Sequence, residues 1–290
     1  MNNMMRNSVV LGFKAFDVHE LLPHFVASEL GMYLAAGLRV GLKDITLQPD
    51  EQLDPPFTVA CGWALMSRLK GARRKVVFVT TDRPMFWMHG RHDIRETRDL
   101  KGQRIATYPA GSPPYHFHRA ILQKAGLDPD RDVELEAARD DVARFGLLRA
   151  GEVAAAVLSS AIPPARVRAL GFRTLSFFGD EIRIPTTGLA ANEEMIAGDP
   201  ELVSAMVKVF QQSMAAIHTE TEKVIPVIAG LLGESRDFAE QTGELVRECF
   251  TRGGRASAEA EQNAIEMINR QLPVGQMLRP EAVYDYSFLS

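Results

Sequence analysis

The feature that most constrains the fold is an alternation of short apolar strands and helical segments over the first two-thirds of the chain. The clearest strand covers residues 75–80, where β-branched residues and a phenylalanine follow one another and polar Thr80, Thr81 and Asp82 close the run. Between such strands, apolar residues recur at helical spacing. Strands that alternate with helices favour parallel sheets covered by helices, so the predicted fold class is α/β.

The last third of the chain reads as helix alone. Asp199 is placed to cap a helix whose first position is Pro200, and helical spacing returns over residues 222–232, 237–250 and 258–270. These helices have no strands of their own, so we expect them to pack on the first sheet. The other predicted strands are 9–13, 38–47, 57–61, 104–108, 133–136, 153–158, 172–177 and 188–191. The other predicted helices are 19–34 (with Gly31 as a stop or a tight packing point), 64–69, 113–124 and 141–150.

Size and charge limit the classes of partner. A chain of 290 residues is long enough for two lobes or one large α/β domain. The formal net charge of -4 argues against nucleic acid or an anionic membrane surface as the main partner. Cys61 and Cys249 match no zinc-binding spacing, and we expect two free buried thiols, with a single disulfide left open.

The amino-terminal residues leave the cellular location open. Residues 1–8 are polar, and the apolar run 9–13 is too short for the core of a signal peptide. No stretch has the roughly 20 apolar residues that span a bilayer. The sequence therefore predicts a periplasmic protein if a leader has been removed, and a cytoplasmic one otherwise.

Several segments resemble a family of transport proteins. Residues 23–40 (PHFVASELGMYLAAGLRV), 99–106 (DLKGQRIA), 121–133 (ILQKAGLDPDRDV) and 148–159 (LRAGEVAAAVLS) are similar, in order, to segments of the solute-binding components of nitrate/sulfonate/taurine-type ABC importers and of their thiamine-pyrimidine-precursor relatives. Residues 184–189 (IPTTGL) and 283–289 (VYDYSFL) extend the likeness to nearly the whole chain. The stretch 43–57 is shorter than in that family, and a helix is expected to be missing there.

The resemblance implies a two-lobed type II periplasmic-binding-protein fold with two chain crossings between the lobes. With crossings near residues 85–93 and 183–189, residues 1–88 and 188–290 would form lobe 1 and residues 89–187 lobe 2. A small molecule would be held in a cleft where strand ends and helix starts converge. The implied partners are this ligand and an ABC permease, and the implied state is a monomer.

In such a fold the loops that follow strands contact the ligand. The candidate ligand-binding residues are Lys14, Phe16, His19, Gly62, Trp63, Thr80, Thr81, Asp82, Tyr108, Gly111, Ser112, Tyr115, Ser159, Ser160, Arg183, Thr186 and Thr187. For each the alternative is an ordinary turn or solvated loop residue. Trp63 is the strongest candidate because it follows Gly62 at a predicted strand end, where it either stacks on a ligand or packs in the core.

The helix after residues 109–112 departs from the family pattern. In the family a helix start at Gly111 and Ser112 receives an anionic oxygen, because free amides and the helix dipole favour negative charge there. Here Pro113 and Pro114 remove two amide donors from the first turn. The sequence therefore favours a carboxylate, a neutral polar group or an aromatic ligand over a sulfonate, with Lys14 and Arg183 as the residues that could offset a charge.

No catalytic or metal-binding motif is present in the sequence. His116 and His118 lie two apart on a predicted helix and face different ways, so no metal site and no cofactor are predicted. The leading hypothesis is reversible capture of a small organic solute. An enzyme on the same fold, similar to an aromatic-acid decarboxylase or a pyrimidine-precursor synthase, is the alternative, with Asp17, His19 and Glu20 either as acid/base groups or as helix-capping, solvated residues. A ligand sensor is a third possibility.

Overall fold

A computed structural model describes residues 7–46, 55–138, 140–273 and 275–289. It contains two compact units. Unit 1 comprises the described parts of Met1–Asp82 and Arg183–Ser290, and unit 2 comprises those of Arg83–Ile182. The chain thus leaves unit 1 after Asp82 and returns after Ile182, slightly earlier in both cases than the lobe boundaries given by the resemblance.

Unit 1 is built on a mixed five-stranded sheet. Its described strands are β1 (Asn7–Phe13), β2 (Leu38–Asp44), β3 (Phe57–Thr58), β4 (Arg74–Thr81) and β10 (Thr187–Asn192). The strand order is β2-β1-β3-β10-β4. Strand β1 runs parallel to β2 and β3, whereas β10 runs antiparallel to β3 and β4.

Helices cover this sheet. The described helices of unit 1 are α1 (Val18–Glu29), α2 (Met32–Ala35), α3 (Cys61–Ser67), α8 (Glu193–Gly198), α9 (Pro200–Thr219), α10 (Thr221–Leu232), α11 (Arg236–Cys249), α12 (Ala258–Asn269) and α13 (Pro280–Val283). As predicted, Asp199 caps α9 by accepting from the amide of Leu202 at 3.0 Å. Phe78 of β4 meets Phe210 of α9 edge to face, with ring centres 6.0 Å apart, so the last third of the chain packs on the first sheet.

Two glycines fix the chain path in unit 1. Gly31 has a φ of 68° and separates α1 from α2, as the sequence predicted. At the start of β10, a Cβ on Gly188 would lie 2.0 Å from the carbonyl oxygen of Phe78. Only glycine lets β10 approach β4 so closely, and this approach places Thr186 and Thr187 at the carboxyl end of β4.

Unit 2 has its own mixed five-stranded sheet. Its described strands are β5 (Phe86–Gly90), β6 (Arg104–Thr107), β7 (Glu134–Ala137), β8 (Ala155–Ser159) and β9 (Arg173–Phe177), in the order β7-β6-β8-β5-β9. Its described helices are α4 (Pro113–Lys124), α5 (Asp141–Ala150), α6 (Pro164–Ala169) and α7 (Phe178–Glu181). Strand β6 is parallel to β7 and β8, and β5 is antiparallel to β8 and β9.

The structure corrects three sequence expectations. The sheets are mixed rather than parallel, because β10 and β5 run against their neighbours. Residues 86–90, taken as part of a crossing, form a strand inside the second sheet. The predicted strand 57–61 ends after Thr58, and Cys61 begins α3.

Two other expectations have different outcomes. Both cysteines are buried free thiols, as predicted. The predicted turn at 53–56 and the helix expected to be missing within 43–57 fall largely outside the described residues.

Candidate functional site

The loop between β1 and α1 is held together by two buried acidic residues. Asp17 caps α1 by accepting from the amide of Glu20 at 2.8 Å. The Glu20 carboxylate in turn accepts from the amides of Lys14 at 2.8 Å and Ala15 at 3.1 Å. Burial and the nearby charge of Asp17 raise the pKa of Glu20 to about 8. The hydrogen bonds from the two amides lower this pKa, but they offset only part of the increase. Glu20 therefore holds this loop together and is buried, whereas the sequence left open either an acid/base group or a capping, solvated residue.

His19 is buried beside a threonine from the second chain segment of unit 1. Its Nε2 lies 2.8 Å from the hydroxyl of Thr186, and the Thr186 carbonyl accepts from the amide of Gly62 at 3.0 Å. Burial lowers the pKa of His19 to about 3, so the imidazole is neutral at physiological pH. Burial also raises the pKa of the Cys61 thiol well above its usual range, and the neighbouring charge of Glu20 adds to this. The structure thus brings His19, Gly62 and Thr186 together at one edge of the sheet.

Trp63 lies in α3 beside two cationic side chains. The Nζ of Lys14 is 5.0 Å from the centre of the indole ring, and the guanidinium carbon of Arg74 is 5.4 Å from it. Lys14 also donates from Nζ to the carbonyl of Ile45 at 2.8 Å. Trp63 is only half-buried, so part of its surface is open to solvent.

Phe16 is the most exposed aromatic ring of the β1–α1 loop, with 55% of its surface accessible. It meets Phe13 and Phe25 edge to face, with ring centres 5.9 and 5.8 Å away. Phe16 shares the loop between β1 and α1 with Lys14, so both lie at the carboxyl end of β1.

The other candidates of unit 1 make contacts within the unit. The hydroxyls of Thr80 and Thr187 lie 2.7 Å apart, and the Thr81 hydroxyl donates to the carbonyl of Cys249 at 2.8 Å. Asp82 accepts at Oδ2 from the amide and hydroxyl of Ser257, at 2.9 and 2.7 Å. The carbonyl of Arg183 accepts from the side-chain amide of Asn263 at 2.9 Å. These contacts give the four threonine and aspartate positions a structural role.

In unit 2, a buried arginine organises the ends of the strands. Arg144 donates from Nε to the carbonyl of Val157 at 2.7 Å and from Nη1 to that of Ala138 at 2.9 Å. Its Nη2 is 2.9 Å from Oδ1 of Asp141, close enough for an ion pair although not aligned for a hydrogen bond. The guanidinium lies over the ring of Tyr108, 3.6 Å from its centre.

Asp141 ties this arginine to Ser159. It accepts from the Ser159 amide at 2.6 Å and from the Ser159 hydroxyl at 3.0 Å. That hydroxyl in turn accepts from the amide of Ala161 at 3.2 Å. Ser159 is thus a structural element of the strand end, and the neighbouring Ser160 is buried as well.

The start of α4 is closed by its own turn. The amide and hydroxyl of Ser112 both donate to the carbonyl of Pro109, at 3.3 and 2.7 Å. The amide of Tyr115 donates to the carbonyl of Ser112 at 3.1 Å, and Gly111 supplies the turn with a φ of 84°. Because Pro113 and Pro114 carry no N–H, the helix start offers an anion even fewer donors than the sequence suggested.

Aromatic rings cover the carboxyl end of the second sheet. Phe86, which pairs with Ser159 across the sheet, lies 5.5 Å from Tyr108 and 6.4 Å from Phe178 between ring centres. Phe178 stacks on the imidazole of His118 at 6.3 Å and 15°, and His118 Nδ1 is 2.8 Å from the hydroxyl of Thr107. Burial lowers the pKa of His118 to about 3, and the nearby Arg119 adds to this.

Sequence reasoning missed the residues that depend on contacts far along the chain. Arg144, Phe86, Phe178 and His118 were not among the candidates. An arginine and a histidine on amphipathic helices read as solvated, and only the inward spacing of His118 with Ile121 and Leu122 could have indicated its burial. Of the candidates in unit 2, Tyr108 and Ser159 lie together, whereas Tyr115 contacts Arg119, whose guanidinium is 5.7 Å from its ring centre.

Comparison with known proteins gives one family match. Residues 19–223, more than half of the chain, match the sequence model described as NMT1/THI5 like. No curated protein sequence matches the chain. Within the part of the chain that the structure covers, no helix is both long enough and apolar enough to cross a bilayer.

Solved structures share the fold over almost the whole chain. The alkanesulfonate-binding protein SsuA from Xanthomonas axonopodis pv. citri, bound to MOPS, is 18% identical, with 97% of this chain and 99% of that chain covered and a TM-score of 0.75. The periplasmic aliphatic sulphonate binding protein SsuA from Escherichia coli is 16% identical, with 96% and 91% covered and a TM-score of 0.76. A mutant of DSZB, in complex with biphenyl-2-sulfinic acid, is 18% identical, with 93% and 95% covered and a TM-score of 0.68. At these identities the likeness shows the fold alone, and it confirms the predicted type II periplasmic-binding-protein class.

Proposed function

We propose that this chain, which belongs to the NMT1/THI5-like family, captures a small organic molecule reversibly and presents it to an ABC importer. Two of the neighbours of known structure are named as sulfonate-binding proteins, and one of these is named as periplasmic. On this proposal the protein works in the periplasm with a permease as its partner. The location of the ligand between two lobes stays a prediction from the resemblance.

The observation that carries the proposal is the arrangement of side chains in unit 1. An exposed Phe16 and a half-buried Trp63 lie on one edge together with the cation of Lys14 and the buried pair of His19 and Thr186. Aromatic surface with a few fixed polar groups is how proteins hold small molecules. Here it is formed by the β1–α1 loop, the first turns of α1 and α3 and the residue before β10, which supports binding without requiring a catalytic step.

A thermal-shift screen of the purified full chain tests the proposal. We expect at least one of taurine, benzoate, benzamide, thymine and glycine betaine to raise the unfolding midpoint in a concentration-dependent way, since a ligand that binds only the folded state stabilises it. Trp63→Leu should reduce this shift, whereas Leu170→Ser, at an exposed position in unit 2, should not. If none of the five compounds shifts the midpoint of a folded sample, the proposal is wrong.

An enzyme on the same fold is the second candidate. The observation that favours it is the buried group of Asp17, His19 and Glu20, since burial shifts the pKa values of the latter two and perturbed groups cluster at active sites. DSZB, which shares the fold, is named a desulfurization enzyme. Mass spectrometry of a bound compound after long incubation separates the two functions: an unchanged compound supports capture, and a product that no longer forms in Glu20→Gln supports catalysis.

A further inference from the structure

We propose that unit 1 carries a second small-molecule site, a groove that takes an amphipathic carboxylate, in which one carboxylate group is joined to a short apolar chain. The groove has a volume of about 530 Å³ and lies between the turn before β4 and the loop after α12. Small-molecule sites in proteins commonly have volumes of about 300–1,000 Å³. The inference concerns a different part of unit 1 from the proposed function and does not depend on it.

The groove is separate from the residues on which the proposed function rests. Arg73 lines it and immediately precedes β4, so the groove lies at the amino end of that strand. Thr186, which contacts His19, donates from its amide to the carbonyl of Thr81 at the carboxyl end of β4, at 3.2 Å. The eight residues of β4 put its two ends roughly 23 Å apart. A ligand in the groove therefore occupies a place of its own.

The first wall of the groove is the turn before β4, which backbone contacts hold on both sides. The amide of Gly71 donates to the carbonyl of Arg68 at 3.0 Å, and Nη1 of Arg68 donates to the carbonyl of Arg74 at 2.5 Å. On the other side of the turn, the amide of Glu193 donates to the carbonyl of Arg73 at 2.8 Å. Arg68 and Arg73, which both line the groove, are therefore fixed at their backbones.

The second wall is the loop after α12, which is closed by one side chain. Asn269 accepts at Oδ1 from the amide of Leu278 at 2.8 Å and donates from Nδ2 to the carbonyl of the same residue at 3.1 Å. The amide of Leu272 donates to the carbonyl of Asn269 at 3.3 Å. Both ends of the loop are thus tied to Asn269. Leu272, Met277 and Leu278 line the groove from this wall, which keeps its shape without a ligand.

Two guanidinium groups share one carboxylate at the groove. Nη1 of Arg68 lies 3.3 Å from Oε1 of Glu193, and Nε and Nη2 of Arg73 lie 3.0 and 2.9 Å from Oε2. Burial raises the pKa of Glu193, but the two arginines outweigh burial and hold this pKa below its ordinary value, so the carboxylate is ionised at physiological pH. The three groups together carry one positive charge, which a ligand with one carboxylate would balance.

The exposed edge of Arg73 supplies the donors for that carboxylate. Arg73 contacts Glu193 through the edge formed by Nε and Nη2. A guanidinium is planar, so its other edge, formed by Nη1 and the second N–H of Nη2, faces away from Glu193. The side chain of Arg73 is 82% exposed, and one guanidinium edge binds both oxygens of a carboxylate at once. An incoming carboxylate can therefore pair with Arg73 without displacing Glu193.

The apolar side chains of the groove favour a ligand with a chain over a bare anion. Met277 is 80% exposed, and Leu272 and Leu278 are half-buried. A methionine side chain is unbranched and flexible, so it adapts to apolar ligands of varied shape. Covering these side chains removes apolar area from water, which adds an affinity that a small anion such as acetate cannot gain.

Isothermal titration of the purified full chain with matched compounds tests the inference. Octanoate, at concentrations where it is monomeric, has both the carboxylate and the chain. Octanamide keeps the chain and lacks the charge, and acetate keeps the charge and lacks the chain. We expect octanoate to bind at one per chain and at least tenfold more tightly than either of the others. No binding of octanoate, or binding of octanamide or acetate as tight as that of octanoate, would overturn the proposal.

Variants at the groove provide the second arm. Arg73→Gln should weaken octanoate binding about tenfold, because a charge-assisted pair is lost. Arg131→Gln is its control, since the side chain of Arg131 is 85% exposed and paired with Asp128, and it should leave the binding unchanged. Met277→Ser should weaken the binding about threefold through lost apolar contact, whereas Leu34→Ser, at an exposed leucine of α2, should not.

These variants are expected to fold, because Arg73 and Met277 are both largely exposed. Equal affinities of Arg73→Gln and Arg131→Gln for octanoate would refute the role of Arg73.

The two proposals fail in different ways. If Trp63→Leu abolishes octanoate binding and Arg73→Gln does not, octanoate is held at the edge beside Trp63, so the groove is wrong and capture of a solute stands. If octanoate does not bind and a compound of the thermal-shift screen does, the groove alone is wrong. If octanoate binds with the expected dependence on Arg73 and no compound of the screen shifts the midpoint, the groove stands and the proposed function is wrong.

Discussion

Replacing Arg144 is the sharpest test of how unit 2 is held together. Arg144→Met keeps much of the side-chain volume and removes the guanidinium. It deletes the bonds to the carbonyls of Val157 and Ala138, the ion pair with Asp141 and the contact with the ring of Tyr108. The carbonyls and the carboxylate are then left without this donor.

The size of the effect follows from burial. Removing one partner of a buried ion pair costs about 3–5 kcal/mol. Asp141 keeps its two bonds from Ser159 and its side chain is 15% exposed, so its charge is not left wholly uncompensated. We therefore expect the lower end of that range, about 3 kcal/mol of unfolding free energy.

Urea unfolding followed by circular dichroism measures this loss. Arg149→Met is the matched control, because Arg149 is an exposed arginine on the same helix, 5.9 Å from the ring centre of Phe145. It should cost less than about 1 kcal/mol. If the Arg144 variant lies within about 1 kcal/mol of the Arg149 variant, the buried guanidinium does not organise the strand ends as described.

Three further predictions concern unit 1. Burial raises the pKa of Glu20 from an ordinary 4.5 to about 8. Between these two pH values the folded state keeps a proton on Glu20 that the unfolded state has lost. The free energy of unfolding should therefore fall as the pH rises from about 4.5 to 8. Glu20→Gln should flatten that fall in urea unfolding at about pH 5 and about pH 8, whereas the exposed Glu29→Gln on the same helix should leave it as it is. Gly188→Ala should lower the free energy of unfolding by about 3 kcal/mol or more, because the new Cβ would meet the Phe78 carbonyl. Gly198→Ala is the control, because nothing lies within 4 Å of a Cβ at that position. Equal midpoints of the two variants in thermal unfolding would contradict the close approach of β10 to β4. Asp199→Ala should lower the free energy of unfolding by about 1 kcal/mol, because the cap of α9 is lost. Asp199→Asn should keep most of that free energy, since asparagine also caps helices. An unchanged stability of the alanine variant would show that this cap contributes nothing.

Local signals predicted much of the fold. Helix α5 was predicted with its observed bounds because Asp140 and Asp141 precede an amphipathic run that ends at Gly151, where φ is 74°. Strand β5 was missed because its five residues begin two positions after Pro84 and include a histidine and a glycine, so they resemble a crossing. Its partners β8 and β9 lie more than 60 residues further on, and only these long-range pairings make it a strand.

The candidate site stays a prediction, and the structure shows only where its residues lie. Lys14, His19, Trp63 and Thr186, which were expected to contact a ligand, lie on one edge of unit 1. The burial of Glu20 and of His118 could not be predicted, because each depends on how a loop or a strand end closes over it. Tertiary contacts decide whether a polar residue on a helix is solvated or part of the core.

Reversible capture of a small molecule is the central claim, and equilibrium dialysis tests it directly. The purified full chain is dialysed against a small-molecule extract, and the retained compounds are identified by mass spectrometry after the protein is denatured. We expect one small organic compound, retained at close to one per chain and chemically unchanged. Retention of nothing, or release of a chemically altered product, would contradict it.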